Sequence, residues 1–338
     1  MALPTQAVSA TTIPTGALPP ASSGAPTADP PASETYLTNI PKNYPGVKVL
    51  LMGGAGTGKT YQASGLADLP VATHKDLVRL KTTTPPILKC RWLMLENSQD
   101  TIGRYFADRG KQVPSNIAWR EIPVVTKSFS LMGRMAKDFG AMSYKMISEW
   151  SDPDRAKHDG MMRMYGYLNK FEDERTGQTL GSVEEWGNDT VLIFDGMSGI
   201  NRAVQGLVVG SRPTMAQGEW NVAQNLINEF LDKLMTMRCH VVILAHIERE
   251  IDEINNTTII TVASLGKKLA PKIPAKFGDV IISGRKSDKF IWTTMGLQAD
   301  TKVRNLPLGA ELVPGFAPLI ESWAASGLTG VSTTQIQE

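Results

Sequence analysis

Short, almost unbroken apolar runs punctuate this chain. Val47, Val49, Leu50, Leu51 and Met52 make the first, and Ile87 to Leu95 (ILKCRWLML), Ile117 to Val125 (IAWREIPVV), Thr190 to Phe194 and Cys239 to Ala245 (CHVVILA) follow. Runs of this length without alternation predict strands buried on both faces. Between them the period lengthens. Met132, Met135, Phe139, Met142, Met146 and Trp150 recur at three- and four-residue steps, predicting one amphipathic helix over Ser130 to Trp150 with its methionine stripe in the core. Val222, Leu226, Phe230 and Leu234 share one face of another helix, Asn221 to Met237. Asp152 to Asp189 is polar, is interrupted by Gly160, Gly166, Gly177, Gly181 and Gly187, and reads as helix and then loop. Thr82 to Pro86 reads as a loop, Gly196 to Gly199 as a turn and Gln205 to Glu219 as a loop, while polar Asn255 to Ser264 is expected to be mobile. Asp279 to Ser283 and Phe290 to Met295 predict two strands joined through GRKSDK, a basic hairpin. Strands alternating with helices predict an α/β fold: one mainly parallel sheet, helices on both faces and a C-terminal β-hairpin region.

Composition divides the chain without changing that picture. Residues 1–45 hold nine of the 21 prolines and almost no large apolar residue before Tyr36, so they are expected to be a disordered Pro/Ala/Ser/Thr-rich tail. Residues 46–323 are expected to form the folded domain, and 324–338, small and polar, a flexible C-terminal tail. Hydrophobic residues are 42% and charged residues 20% of the 338, ordinary for a protein with a packed core. No apolar run reaches membrane-span length and the start lacks a signal-peptide layout, so a cytoplasmic protein without a membrane partner is expected. Cys90 and Cys239 both adjoin strand-like runs and are expected to be buried free thiols. The net charge of +2 does not announce a nucleic-acid binder. Locally the balance differs: from Gly266 to Arg304, nine cations face three acids.

The candidate chemistry begins where the first apolar run stops. Gly53, Gly54, Ala55, Gly56, Thr57, Gly58, Lys59 and Thr60 match G-x-x-x-x-G-K-[ST], the phosphate-binding P-loop. Glycines let successive backbone N–H groups converge on an anion, and the following helix aims its positive end at the same point. The octet, with Tyr61 next in sequence, is therefore the expected ATP-binding set. Lys59 would reach the β- and γ-phosphates, and the Thr60 hydroxyl would hold Mg²⁺. The run Thr190 to Phe194 ends in Asp195, which suits a second Mg²⁺ partner acting through water. Glu96, at the carboxyl end of the second run, could polarise an attacking water or simply be a solvated or helix-capping acid. His246, after the fifth run, could sense the γ-phosphate or be a capping or core histidine.

With these residues in hand, the chain from Gly46 to Trp323 resembles the RecA-like P-loop ATPases, most closely the phage-encoded single-strand annealing and recombination group. The resemblance is carried by GGAGTGKT, the strand-end acids Glu96 and Asp195, the LAHIERE run, GKKLAPKIPAKFGDVIIS and Asp300 to Pro307. It implies that Glu96 is the catalytic glutamate and that His246 stands where relatives carry a polar phosphate sensor. It implies that Lys302 and Arg304 act in trans on a neighbour's γ-phosphate, and hence that the protein assembles as a ring or filament. It places Gln205 to Glu219 and Glu248 to Gly266 where relatives contact single-stranded DNA, and it implies ATP hydrolysis in service of phage DNA recombination, annealing or replication. Neither loop is strongly basic or aromatic, however, and the second opens on the acids of EREIDE. The rivals are a DNA-translocating motor (helicase or packaging ATPase), a nucleotide-gated loader or clamp with negligible hydrolysis, and a small-molecule kinase whose lid would be Asp152 to Asp189 with Arg155, Arg163 and Arg175.

Overall fold

The computed structural model describes residues 46–70, 87–122, 129–149, 157–212, 214–252, 257–296 and 299–325. The expected tail 1–45, the loop 82–86 and most of the C-terminal tail lie outside them. The strands are β1 (Lys48–Gly53), β2 (Lys89–Met94), β3 (Ile117–Glu121), β4 (Thr190–Asp195), β5 (His240–Ala245), β6 (Ile247–Asp252), β7 (Thr257–Val262), β8 (Asp279–Lys286) and β9 (Lys289–Thr293). Seven of them form one sheet in the order β3-β2-β4-β5-β1-β8-β9, parallel except for β9. The helices are α1 (Lys59–Ser64), α2 (Gln99–Ala107), α3 (Phe129–Ala141), α4 (Tyr144–Glu149), α5 (Gly160–Asn169), α6 (Met197–Val209), α7 (Gln217–Met235), α8 (Lys272–Lys276) and α9 (Ala317–Ala325). This is the α/β, mainly parallel arrangement with helices on both faces that the sequence predicts. Among the described residues no helix is long and apolar enough to cross a membrane.

Strand periodicity divides the core in two. Leu50 and Met52 of β1, Leu192 and Phe194 of β4, and Val241 and Ile243 of β5 face α5, α6 and α7, which contribute Met161, Met164, Ile200, Val204, Ile227 and Phe230. The alternate residues Val49, Leu51, Val191, Ile193, Val242 and Leu244 face α1, α2 and α9, which contribute Ala63, Ile102, Phe106, Leu319 and Trp323. The near-continuous apolar character of the central strands follows from this double cover. Both sheet edges are closed. Along β3, Trp119 O accepts from Glu174 N–H at 2.9 Å, and the Asp173 and Glu174 carboxylates accept from the Trp119 and Glu121 N–H groups. Along β9, Trp292 and Leu312 exchange both backbone bonds. Neither edge therefore offers a free row of N–H and C=O groups for pairing.

Several expectations are corrected. The helix over 130–150 is two helices, α3 and α4, broken at Met142 and Ser143, and Trp150 lies outside the described residues. Its methionine stripe is not core: Met146 is 54% and Met132 44% exposed, and Met135, Phe139 and Met142 are only half-buried. Periodicity reveals that a face is apolar, not what covers it. On α7 the buried face runs through Ala223, Ile227, Phe230, Leu231 and Leu234, leaving Val222 exposed. The turn at Gly196 is one residue long, and α6 runs through Gln205 to Val209, where a loop was expected. Gly199 and Gly206 hid that helix because glycine disfavours helix interiors; here they admit Leu95 and His158 at close range. The segment expected to be mobile contains β7, paired antiparallel with β6. Its Thr-Thr-Ile-Ile-Thr-Val sequence is β-branched throughout, which suits a strand better than a loop. Finally, β3 ends at Glu121, β9 at Thr293, and α9 extends to Ala325, past the expected domain limit. Cys90 and Cys239 are free and buried as expected, and burial pushes their thiols up to about 12 and about 11.

Candidate nucleotide-binding site

The register of the parallel strands brings the predicted residues to one end of the sheet. Met52 aligns with Ala245, Gly53 with Ser283, and Met94 with Asp195, so the loop after β1, His246 after β5, Asp195 and Glu96 all emerge together. Carboxyl ends of strands in open α/β sheets are where ligands bind.

The loop 54–58 is braced by one bond of its own and by contacts from β8 and β9. Gly56 and Gly58 take positive φ of 73° and 81°, which lets the chain coil before α1 begins at Lys59. The Thr57 hydroxyl donates to Gly54 O at 2.9 Å, and the Ser283 hydroxyl donates to Thr57 O at 2.8 Å, tying the loop to β8. The Phe290 ring of β9 packs on Gly58, where a Cβ would lie 2.9 Å from it. Trp292 Nε1–H donates to Gln62 Oε1 on α1. The C-terminal hairpin therefore holds the loop and the first turn of α1 from one side.

Inside the loop, the Lys59 ammonium donates to Gly53 O and Gly54 O, both at 2.9 Å. Burial lowers its pKa, opposed by the negative charges of Asp195 and Glu96. Thr60 Oγ1 donates to Asp195 Oδ2 at 2.8 Å across 135 residues of sequence. Asp195 is buried, and this desolvation raises its carboxyl above the usual range; hydrogen bonds from Ser98 and Thr60 pull it back, and the nearby Glu96 adds to the rise. A buried carboxylate beside a hydroxyl, with only hard oxygen donors, fits Mg²⁺, which keeps most of its waters and needs few protein ligands. Among the described residues no group of three or more His, Cys, Asp or Glu gathers into an all-protein metal site.

Glu96 and His246 are brought together as well: Glu96 Oε2 stands 3.7 Å from His246 Nε2, both partly exposed. His246 O accepts from Ala263 N–H at 2.8 Å, joining the site to the β6–β7 hairpin. Three contributors escape the sequence reading. Ser98 is buried, and its one hydroxyl hydrogen has two acceptors within reach, Glu96 O at 3.1 Å and the Asp195 carboxylate. Ser283 and Phe290 brace the loop from 226 and more residues away. A small polar residue two positions past a strand-end acid is a signal for Ser98; local sequence holds none for the other two. Tyr61, directly after Thr60, meets Phe290 with centroids 6.5 Å apart and Tyr105 at 5.1 Å, and its hydroxyl accepts from Arg109 at 3.0 Å. An aromatic wall flanked by Arg109 and by Arg285, 5.8 Å from the Phe290 ring, thus borders the loop.

Lys302 and Arg304 are not brought to this site. Lys302 exchanges backbone bonds with Val280, and Arg304 N–H donates to the buried Asp279 carboxylate at 2.8 Å. Asp279 begins β8, four residues before Ser283, so the pair sits roughly 13 Å down the strand from the loop. Both side chains are exposed. The expected DNA-contacting segments are no more basic in space than in sequence. Arg212 forms an ion pair with Glu219, and Glu248 and Glu250 share one face of the β6–β7 hairpin. In the expected lid, Arg163 pairs with Asp159 at 2.8 Å, and Arg175 pairs with Asp173 and stacks on Trp119 at 4.5 Å. Both serve the fold, and Arg155 lies outside the described residues.

No family model and no curated protein matches this sequence. Among solved structures, the KaiC-like protein PH0186 from the hyperthermophilic archaeon Pyrococcus horikoshii OT3 is similar over 79% of this chain and 84% of its own, with 14% identity and a TM-score of 0.34. The flagellar accessory protein FlaH from Methanocaldococcus jannaschii is similar over 78% of this chain and 82% of its own, with 8% identity and a TM-score of 0.33. By its own geometry, the chain is an α/β fold with a glycine-rich loop after a central parallel strand and a strand-end Asp195 bonded to the threonine that follows that loop.

Proposed function

We propose that the protein binds MgATP in the loop from Gly53 to Thr60 and hydrolyses it to ADP and phosphate. The observation that carries this reading is the 2.8 Å bond between Thr60 and Asp195, which joins two motifs far apart in sequence at the mouth of the loop. Backbone N–H groups of the loop would hold the β-phosphate, and Lys59 would leave its two carbonyl partners to meet the β- and γ-oxygens. Thr60 and Asp195 would hold Mg²⁺, which when bound neutralises charge on those oxygens. Tyr61, at the aromatic wall, borders the base side. Glu96 orients water for in-line attack and takes its proton, and His246 beside it meets the γ-phosphate. Lys302 and Arg304, exposed and remote from their own loop, are available to a neighbouring copy; we assign them the trans-acting role, in a ring or filament.

The biological setting we favour is phage DNA recombination, single-strand annealing or replication, with single-stranded DNA as partner. Its support is the resemblance and the basic run 266–304. The acids Glu248 and Glu250 on the hairpin favour a second reading, a nucleotide-gated loader that meets a protein there and hydrolyses little. ATP turnover of the full chain, with and without single-stranded DNA and alongside its mass in solution, decides between them. Stimulated turnover by an assembled species supports the first reading, and binding without turnover supports the second.

A further inference from the structure

We infer that Gly196 is a positioning residue for Glu96: its bare Cα is the seat on which that carboxylate side chain rests. The inference takes the role of Glu96 from the reading above, while the seat itself is a matter of packing. Parallel register sets it up. Leu95 N–H donates to Asp195 O at 3.0 Å, so the residues that follow, Glu96 after β2 and Gly196 after β4, come side by side just past the sheet. Gly196 takes φ 115° and ψ 83° there, turning the chain from β4 into α6. A Cβ at this position would lie 2.9 Å from Glu96 Cγ and 3.1 Å from both Cδ and Oε1. The distal half of the Glu96 side chain therefore occupies the space that any other residue would fill.

The surroundings prevent α6 from yielding. One turn on, Gly199 donates to Gly196 O at 2.9 Å and packs so tightly on Leu95 that a Cβ there would lie 2.2 Å from the leucine's own. A side chain at 196 would therefore push Glu96, not the helix. Glu96 would swing off a position where Lys59 and Asp195 feel its charge and where His246 stands 3.7 Å away. The hydrogen bonds that brace the loop 54–58 and the Thr60–Asp195 bond run through neither Gly196 nor the Glu96 side chain, so nucleotide binding and turnover should separate.

The test uses full-length protein. Gly196→Ala is expected to lower kcat by about 100-fold, within the range for loss of a positioned general base, while MgATP binding stays within about threefold of wild type. Positive φ alone also penalises alanine, and Gly177→Ala sets a lower bound on that penalty: its φ of 68° is milder than the 115° of Gly196, and its Cβ would meet nothing within 4 Å. Gly196→Ala should lower Tm more than Gly177→Ala does, and Glu96→Ala should recover the part of that loss due to the clash, leaving only the backbone penalty. If Gly196→Ala alone does not fold, recovery of folding by adding Glu96→Ala is the same result. Wild-type kcat in Gly196→Ala, or a Tm loss undiminished by Glu96→Ala, overturns the inference. A wild type that binds ATP without turnover would sink the hydrolysis reading, yet the Tm comparison would still decide the seat.

Discussion

His240, at the start of β5, should make this protein acid-labile in a predictable way. Val47 N–H donates to its Nδ1 at 3.0 Å, and its Nε2–H donates to Asn188 O at 2.9 Å, so the ring must be neutral with the proton on Nε2. Trp323 packs edge-on against it at 4.7 Å. Protonating Nδ1 would set an N–H against the Val47 N–H. Burial, and then the positive charge of Lys48, lowers the imidazole from 6.5 to about 3. The sign follows from proton counting. Between about pH 6.5 and 3 the unfolded chain binds a proton that the native state refuses, so stability falls as pH falls through that window. At 1.36 kcal/mol per unit, the loss from this group is about 2 kcal/mol at pH 5 and approaches about 5 kcal/mol near pH 3. Urea unfolding at pH 7.5, 6 and 5 on wild type and His240→Gln isolates it, because other titrating groups are common to both. The variant should be less stable at pH 7.5, by about 1–3 kcal/mol for the lost packing and bonds. The gap should then close by about 2 kcal/mol at pH 5. Parallel pH dependences for the two proteins would refute the neutral, doubly bonded ring.

Three further outcomes are expected. Arg304→Ala should lose turnover while retaining MgATP binding, and mixing it with Lys59→Ala should restore part of the activity, because one copy supplies the loop and the other the arginine; full turnover by Arg304→Ala alone removes the trans role. Phe230→Ala should destabilise by about 3–5 kcal/mol in urea unfolding, since its ring fills the core edge-on to Phe194 at 5.7 Å. Met132→Ala, on the exposed stripe of α3, should shift stability by less than about 0.5 kcal/mol.

What could be read from the chain, and what could not, divides by the range of the interactions. The segment from β1 through the phosphate loop to α1 was legible because its strand, its glycines and its helix are all local signals. So was Asp195, since a buried strand that ends in an acid exposes that acid at the sheet end. The β8–β9 hairpin was legible from its basic turn between two apolar runs, though not its hold on Gly58 through Phe290. Where partners come from afar, reading failed. The glycines of α6 looked like breaks because Leu95 and His158, which need their space, are distant in sequence. The β6–β7 hairpin looked mobile because threonines counted as polar before they counted as β-branched. The stripe of α3 and α4 was a true apolar face, wrongly assigned to the core because a period cannot say what lies opposite. Lys302 and Arg304 were placed by resemblance, and the backbone pairing of Lys302 with Val280 shows only that they do not reach their own loop.

The measurement that bears most directly on all of this is calorimetric titration of ATP into the full-length protein, with Mg²⁺ and with chelator, for wild type and for Asp195→Asn. If the phosphates lie in the loop with the metal held by Thr60 and Asp195, wild type binds with measurable heat and more tightly when Mg²⁺ is present, and Asp195→Asn loses that difference. Absence of heat in wild type, or a magnesium dependence unchanged by Asp195→Asn, would contradict it.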